Sequence, residues 1–274
     1  MLASKRIGFL GAGNMAEALI RGLLESNQVE AGSLWVSDIR PQRLSYLRER
    51  YGLGSFPDNP SLVRHCDIVL LCVKPQNMRE ALRSIREATR PDQTLISIAA
   101  GIPISLVMAE LQNHARVVRV MPNTPALVLE GVSAICPGPH ATPEDLETTR
   151  QIFSAVGKVV LVEEALMDAV TALSGSGPAY VFLAMEALRE AGMRLGLGEE
   201  TSHLLVAQTF LGAAKMVTET QEDPAVLRQR VSSPGGTTLA GLEVLEEKGF
   251  RDLLAAAVEA AARRARELSL PPSP

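Results

Sequence analysis

"RIGFLGAGNMAEALIRGLLES", residues 6–26, is the stretch whose reading decides the fold. Ile7 to Leu10 is a short apolar run that ends at a glycine. From Met15 onward the apolar residues recur at helical spacing. Between them, Gly11-Ala12-Gly13-Asn14-Met15-Ala16 fits G-x-G-x-x-[GA]. The motif alone is weak, but here it follows a strand and opens a helix, the context that a dinucleotide-binding turn requires. Gly11 permits the tight turn, Gly13 lets a pyrophosphate approach the backbone, and Ala16 lets the helix pack closely on the strand. The start of the helix adds free N–H groups and a positive dipole end. Gly11, Ala12, Gly13, Asn14 and Met15 are therefore candidate cofactor-binding residues. An ordinary glycine turn is the competing reading, and the flanking elements disfavour it.

Working outward, "SLWVSD" reads as a second strand, and "DIVLLCVKP", "TLISIAAG", "RVVRVMPNTP", "GVSAIC" and "KVVLVEE" as further buried strands. A helical stretch is expected before each next strand. Continuous apolar strands alternating with helices predict a doubly wound parallel sheet, covered on both faces. Ligands of such sheets bind at the carboxyl ends of the strands. The second strand ends near Asp38 and Arg40. A carboxylate there suits the ribose hydroxyls of NADH, and an arginine suits the 2′-phosphate of NADPH. Three later strands end in Val73-Lys74-Pro75, Ala99-Ala100-Gly101 and Met121-Pro122-Asn123-Thr124-Pro125. Taken singly each is an ordinary loop. At matching strand ends they read as one cleft, with Lys74 facing a phosphate or ribose and Asn123 and Thr124 facing the nicotinamide amide.

The pattern changes near residues 163–168. Beyond it the chain reads as helices: 165–196, 199–220, 223–231, 237–249 and 250–269. This gives a Rossmann-type domain over 1–165 and an all-α domain over 166–274. The helical faces are wide and rich in Ala and Gly, which predicts a dimer built through them. A net charge of −4, from 27 Lys+Arg against 31 Asp+Glu, supplies no attraction to nucleic acid or an anionic membrane. The longest apolar run, "IVLLCV" at 68–73, is far short of a bilayer span. The start of the chain lacks the pattern of a signal peptide. Cys66, Cys72 and Cys136 have no metal-type spacing and cannot all pair, which suits a reduced, cytoplasmic protein.

"VSSPGGTTLAGLEVLEE", residues 231–247, holds more small and polar residues than a turn needs. A glycine-rich turn entering a helix presents N–H groups to an anion; a plain capped helix start explains the same composition. With "GFLGAGNMAEA", "VRVMPNTPALV", "ALSGSGPAYVF" and "QTFLGAAKMV", this stretch makes the chain resemble the pyrroline-5-carboxylate reductases along nearly its whole length. The resemblance implies reduction of a cyclic imine, 1-pyrroline-5-carboxylate, to L-proline by NADPH or NADH. It also implies a helical domain that interlocks two subunits, with larger rings of dimers. Ser233, Gly236 and Thr237 match residues that hold the substrate carboxylate, and Thr238 matches one that bonds the ring nitrogen. Glu164 matches a residue near the substrate, and Asn59 one that contacts the cofactor ribose. Two positions depart from the pattern. Asp38 stands where some members have serine, which puts a strict NADPH preference in doubt. Gln221 stands where some have a substrate-facing glutamate, so that contact is not transferred.

The chemistry asks little of side chains: the nicotinamide supplies the hydride, and Thr238 orients the nitrogen. His65, His114, His140 and His203 lie outside the motifs and read as structural or surface residues. A hydroxy-acid dehydrogenase of similar architecture is the nearest rival. It would need a catalytic lysine, with an asparagine four residues on, after the Gly-x-Gly turn, where this chain places Val181 and Met185. A nucleotide-binding protein without catalysis is the other alternative, disfavoured by the intact 232–238 segment.

Overall fold

The computed structural model describes residues 2–111 and 115–269. His114 lies outside them. An eight-stranded sheet forms the first part, in the order β3-β2-β1-β4-β5-β6-β7-β8. The strands are β1 (Ile7–Leu10), β2 (Leu34–Ser37), β3 (Gly54–Ser55), β4 (Ile68–Leu71), β5 (Thr94–Ser97), β6 (Arg116–Met121), β7 (Gly131–Pro137) and β8 (Gly157–Leu161). Between them run α1 (Asn14–Glu25), α2 (Pro41–Tyr51), α3 (Asn59–His65), α4 (Met78–Ile85), α5 (Ile104–Glu110) and α6 (Pro143–Ser154). The central strands β1 and β4 read as continuous apolar runs because helices cover both of their faces. Two apolar clusters result. One joins Ile7, Phe9, Leu19, Leu23 and Phe153, and the other Leu10, Leu62, Leu71, Leu82 and Val117.

The sheet is doubly wound and mostly parallel, as expected, with one antiparallel pairing that reverses its last two strands, β7 and β8. β7 runs antiparallel to β6, with Arg119 opposite Cys136. The segment between them holds only a 3-10 turn, Thr124–Val128. A parallel return needs a longer crossover, usually a helix. α6 then carries the chain from β7 to β8, which pair in parallel.

The later helices are α7 (Met167–Val170), α8 (Gly177–Arg194), α9 (Glu199–Thr220), α10 (Pro224–Arg230), α11 (Thr237–Glu247) and α12 (Phe250–Ser269). The single helix expected over 165–196 is broken. A 3-10 turn (Glu164–Leu166) and α7 lead into a π turn, Thr171–Gly175, and α8 starts after it. Two compact units result, one within Met1–Ser176 and Ala260–Pro274 and one of Gly177–Glu259. In the second unit α8 and α9 pack as a hairpin. A Cβ added to Gly192 would come within 3.0 Å of Ser202 Oγ, which shows how closely the two helices approach. Much of this unit's apolar surface is uncovered within the chain, Leu183 being 66% exposed and Leu204 65%. No helix among the described residues is long and apolar enough to cross a membrane.

Candidate active site

The glycine turn after β1 is built by two different requirements. Gly11 has φ +98°, and a Cβ there would lie 2.9 Å from the carbonyl carbon and oxygen of Cys72. Only glycine fits that crossing of β1 and β4. Gly13 has ordinary backbone angles, φ −73° and ψ −176°. A Cβ added to it would meet nothing within 4 Å. The chain therefore leaves an open cradle at Gly13, immediately before α1, and no side chain caps that helix start. Asn14 follows at the surface, Met15 is half-buried against the core, and Ala16 is buried. An open cradle, uncapped N–H groups and a helix dipole fit a dinucleotide pyrophosphate.

Ala12 contributes shape rather than a donor. Its N–H already bonds Asp38 Oδ2 at 2.8 Å, and its carbonyl accepts from Arg43 Nε at 2.6 Å. Arg43 is held in turn by Glu17. Asp38 accepts three further bonds, from Arg40 N (2.9 Å), Nε (2.9 Å) and Nη2 (3.1 Å). That uses both oxygens and about all four lone-pair directions of the carboxylate. Burial pushes the Asp38 carboxyl up, but the Arg40 side chain and the Ala12 and Arg40 amides outweigh it, so its pKa is lowered. Asp38 anchors the glycine turn, and Arg40 faces solvent with its remaining donors. Asn59, the first residue of α3, accepts from Ser37 Oγ at 2.8 Å and so sits beside the end of β2. His65 stacks on Trp35 and Phe56 and is structural, and His140 and His203 are exposed.

The end of β4 backs onto this turn, and the ends of β5 and β6 follow along the same edge of the sheet. Cys72-Val73 backs onto Gly11, and Lys74 and Pro75 follow it at the surface. Ala99 is buried and Ala100 half-buried beside Gly101, which takes φ +71°. Asn123 is occupied at both ends of its amide. Its Oδ1 accepts from Val132 N at 2.9 Å, and its Nδ2 donates to Ser174 O at 3.2 Å. It ties the end of β6 to the π turn, and a nicotinamide amide can claim only its second Nδ2 hydrogen. The π turn closes with Ser176 N donating to Thr171 O, five residues back, at 2.8 Å. Gly175 lies against Met121, whose Cε would be 2.6 Å from an added Cβ. "RVMPNTP" and "ALSGSGP", distant in sequence, thus form one structure. Glu164 Oε1 accepts from Ile104 N (2.7 Å) and from Arg119 Nη1 (3.1 Å), which joins β6 to the start of α5. Sequence reasoning missed Arg43, Glu17 and Arg119, because an arginine or glutamate on a helix or strand carries no pattern that marks it as a support.

The 232–238 segment is a turn that enters α11. Ser232 Oγ donates to Arg228 O at 2.7 Å and closes α10. Gly235 takes φ +69°, and Gly236 N donates to Ser233 O at 3.0 Å. Gly236 is the N-cap of α11 and has no side chain to satisfy the first N–H groups. Ser233 and Thr237 are exposed and Thr238 is half-buried. Their hydroxyls have no partner among the described residues. A plain capped helix start would turn a serine or threonine oxygen onto the N–H groups. This segment leaves both the N–H groups and the hydroxyls open.

A doubly wound sheet with a dinucleotide cradle, followed by helices, defines an NAD(P)H-dependent oxidoreductase. The pyrroline-5-carboxylate reductase dimerisation family matches residues 164–268, and the family described as NADP oxidoreductase, coenzyme F420-dependent, matches residues 6–101. The pyrroline-5-carboxylate reductase of Methanosarcina acetivorans is 43% identical over 267 residues, 97% of this chain and 99% of that one. The structure of a pyrroline-5-carboxylate reductase from Coxiella burnetii superposes with a TM-score of 0.92 at 37% identity, covering 98% of this chain and 100% of that one. The Plasmodium falciparum pyrroline carboxylate reductase with NADP bound gives 0.88 at 33% identity, covering 97% and 99%. The chain belongs to the pyrroline-5-carboxylate reductase family.

Proposed function

We propose that this protein reduces the C=N bond of 1-pyrroline-5-carboxylate to give L-proline, with NADPH or NADH as hydride donor. The observation that carries this reading is the unsatisfied turn at Ser232–Thr238, with open N–H groups and open hydroxyls at the start of α11. The substrate is a small ring with one carboxylate and one imine nitrogen. Ser233, Gly236 and Thr237 supply donors suited to the carboxylate, and the Thr238 hydroxyl suits the nitrogen. Threonine is a poor acid, so Thr238 orients the ring rather than driving proton transfer. The nicotinamide supplies the hydride. The residues that would hold the cofactor are Gly11, Gly13, Asn14 and Met15 at the pyrophosphate, Arg40 and Asn59 at the adenosine ribose, and Val73–Pro75, Ala99, Ala100 and Asn123 along the strand ends. Glu164 has one oxygen engaged by Arg119 and Ile104, and its other oxygen is the one open to substrate.

NADPH and NADH are both accepted on this reading. Asp38 is neutralised by Arg40, and Arg40 keeps outward donors for a 2′-phosphate. Residues 1–165 carry the cofactor, and 166–274 carry dimerisation and substrate binding. The protein is a cytoplasmic homodimer or a ring of dimers, with no nucleic acid or membrane partner. The three unpaired cysteines and the acidic balance support the location and the lack of such partners.

The test is substitution at Thr238. Thr238→Ala should lower kcat/KM for pyrroline-5-carboxylate about ten- to a hundredfold, since a hydrogen bond to a charged group is worth ~1.5–3 kcal/mol. NADPH affinity should be nearly unchanged, and Thr238→Ser should keep most of the activity. Full kcat/KM in Thr238→Ala would make Thr238 a helix-start residue only.

A further inference from the structure

The sheet ends in two very different edges. β3 is an edge of only two residues, Gly54–Ser55, too short to recruit another strand. β8 is five residues, Gly157–Leu161, and no strand among the described residues lies on its outer side. It carries no proline, and Lys158 is its only charge. Val160 is 47% exposed and Leu161 62%. Being adjacent in a strand, they point to opposite faces, so both faces of this edge expose apolar surface. A long, exposed, apolar edge is a template for strand pairing and is normally blunted.

The backbone of β8 is also directed for pairing. Gly131 N donates to Val156 O at 2.9 Å, and Val162 N donates to Ile135 O at 3.0 Å. Residues 156, 158, 160 and 162 therefore turn their polar groups toward β7. Residues 157, 159 and 161 turn theirs outward. The family's dimerisation segment begins at residue 164, directly after β8 ends at Leu161. An edge strand continuous with a dimerising segment has one natural partner, the same strand of the second subunit.

We propose that β8 pairs antiparallel with β8 of a second copy across a two-fold axis, joining the two sheets into one. A two-fold axis requires a self-complementary contact, and an antiparallel pair of identical strands meets that condition. With Val159 on the axis, it faces Val159 of the partner subunit, and Gly157 faces the partner's Leu161. These outward residues exchange N–H···O bonds in pairs. Lys158 then lies across from the partner's Val160 and not from a like charge. Val160 then has the aliphatic stem of the partner's Lys158 beside it on its face of the joined sheet. The inference rests on the dimer proposed above, and it assigns a specific strand and register to part of that contact.

Hydrogen exchange on the full-length protein tests it. The Val159 and Leu161 amides face away from β7, and no strand among the described residues lies there to accept from them. In the dimer they should exchange at least ~100-fold more slowly than unprotected amides. Val159→Pro removes an outward donor and leaves the ladder to β7 intact. It should raise the dimer dissociation constant at least ~tenfold in sedimentation equilibrium. If Val159→Pro fails to fold, exchange in the wild type still decides. A stable dimer in which Val159 and Leu161 exchange freely while Val160 is protected overturns the strand pairing and leaves the dimer standing. A monomer at assay concentration overturns both.

Discussion

Gly11 and Gly13 stand two residues apart and are glycines for different reasons, which their substitutions should separate. Gly11→Ala places a Cβ against the Cys72 carbonyl at positive φ, so both stability and cofactor binding should fall, the fold by ~1–3 kcal/mol. Gly13→Ala puts its methyl into open space at ordinary backbone angles. Its melting temperature should stay level or rise, since alanine restricts the unfolded chain. Its NADPH dissociation constant should rise at least ~tenfold, because the methyl fills the pyrophosphate cradle. NADPH binding by Gly13→Ala as tight as wild type, measured by calorimetry, would remove the cradle from the account. Asp38 and Arg40 act as a pair. Arg40→Ala should lower kcat/KM with NADPH about ten- to a hundredfold, and with NADH much less. Equal losses with both cofactors would place Arg40 away from the 2′-phosphate. Asp38→Ser carries a further effect that sequence alone does not suggest. It frees the Ala12 amide and Arg40 together, so it should weaken both cofactors as well as change their ratio.

At the scale of elements, α6 is fixed by one buried carboxylate. Asp145 accepts from Thr94, from Arg116 Nη2 at 2.7 Å and from Thr142 N at 2.7 Å, and it closes a capping box with Thr142. Burial pushes the Asp145 carboxyl up, and Thr94, Thr142 and Arg116 together outweigh it, so its pKa is lowered. A carboxyl lowered on folding contributes stability above its unfolded pKa of ~3.9, and the contribution is lost as pH falls through the folded value. Asp145→Asn should therefore cost ~3 kcal/mol at neutral pH and flatten the acid limb of the stability curve. An unchanged acid limb would show that other carboxylates set it. Much of this level was legible in the sequence. The α9 pattern gives Glu199–Thr220 because Gly198 precedes it and Pro224 follows it closely. β3 was not legible, since Gly54–Ser55 has no apolar run; it is defined by its pairing with β2, where the Trp35 ring lies where a side chain at Gly54 would be. The direction of β7 was hidden because an apolar strand looks alike in either direction, and only the short connection after β6 reveals it. The π turn at Thr171–Gly175 was read as continuous helix. Its cause is tertiary, in the contacts of Gly175 with Met121 and of Ser174 with Asn123. For the site, the glycine turn and the Ser232–Thr238 segment were visible from composition and context. Arg43, which supports the glycine turn, and Arg119, which holds Glu164, were not, because they act across elements far apart in the chain.

At the scale of the whole molecule, the sheet carries a cradle that the chain itself leaves open. The helical part carries a polar turn with unsatisfied donors and more apolar surface than it covers alone. The dimerisation family matches residues 164–268, where that apolar surface lies, and the substrate proposed above would occupy the turn. The most direct measurement is the oxidation of NADPH by the purified protein on addition of 1-pyrroline-5-carboxylate, with proline quantified as product and Thr238→Ala run beside the wild type. The account predicts proline formed in equal amount to the NADPH consumed, and a rate ten- to a hundredfold lower in the variant at unchanged NADPH affinity. NADPH binding without proline formation, or a variant as fast as the wild type, would contradict it.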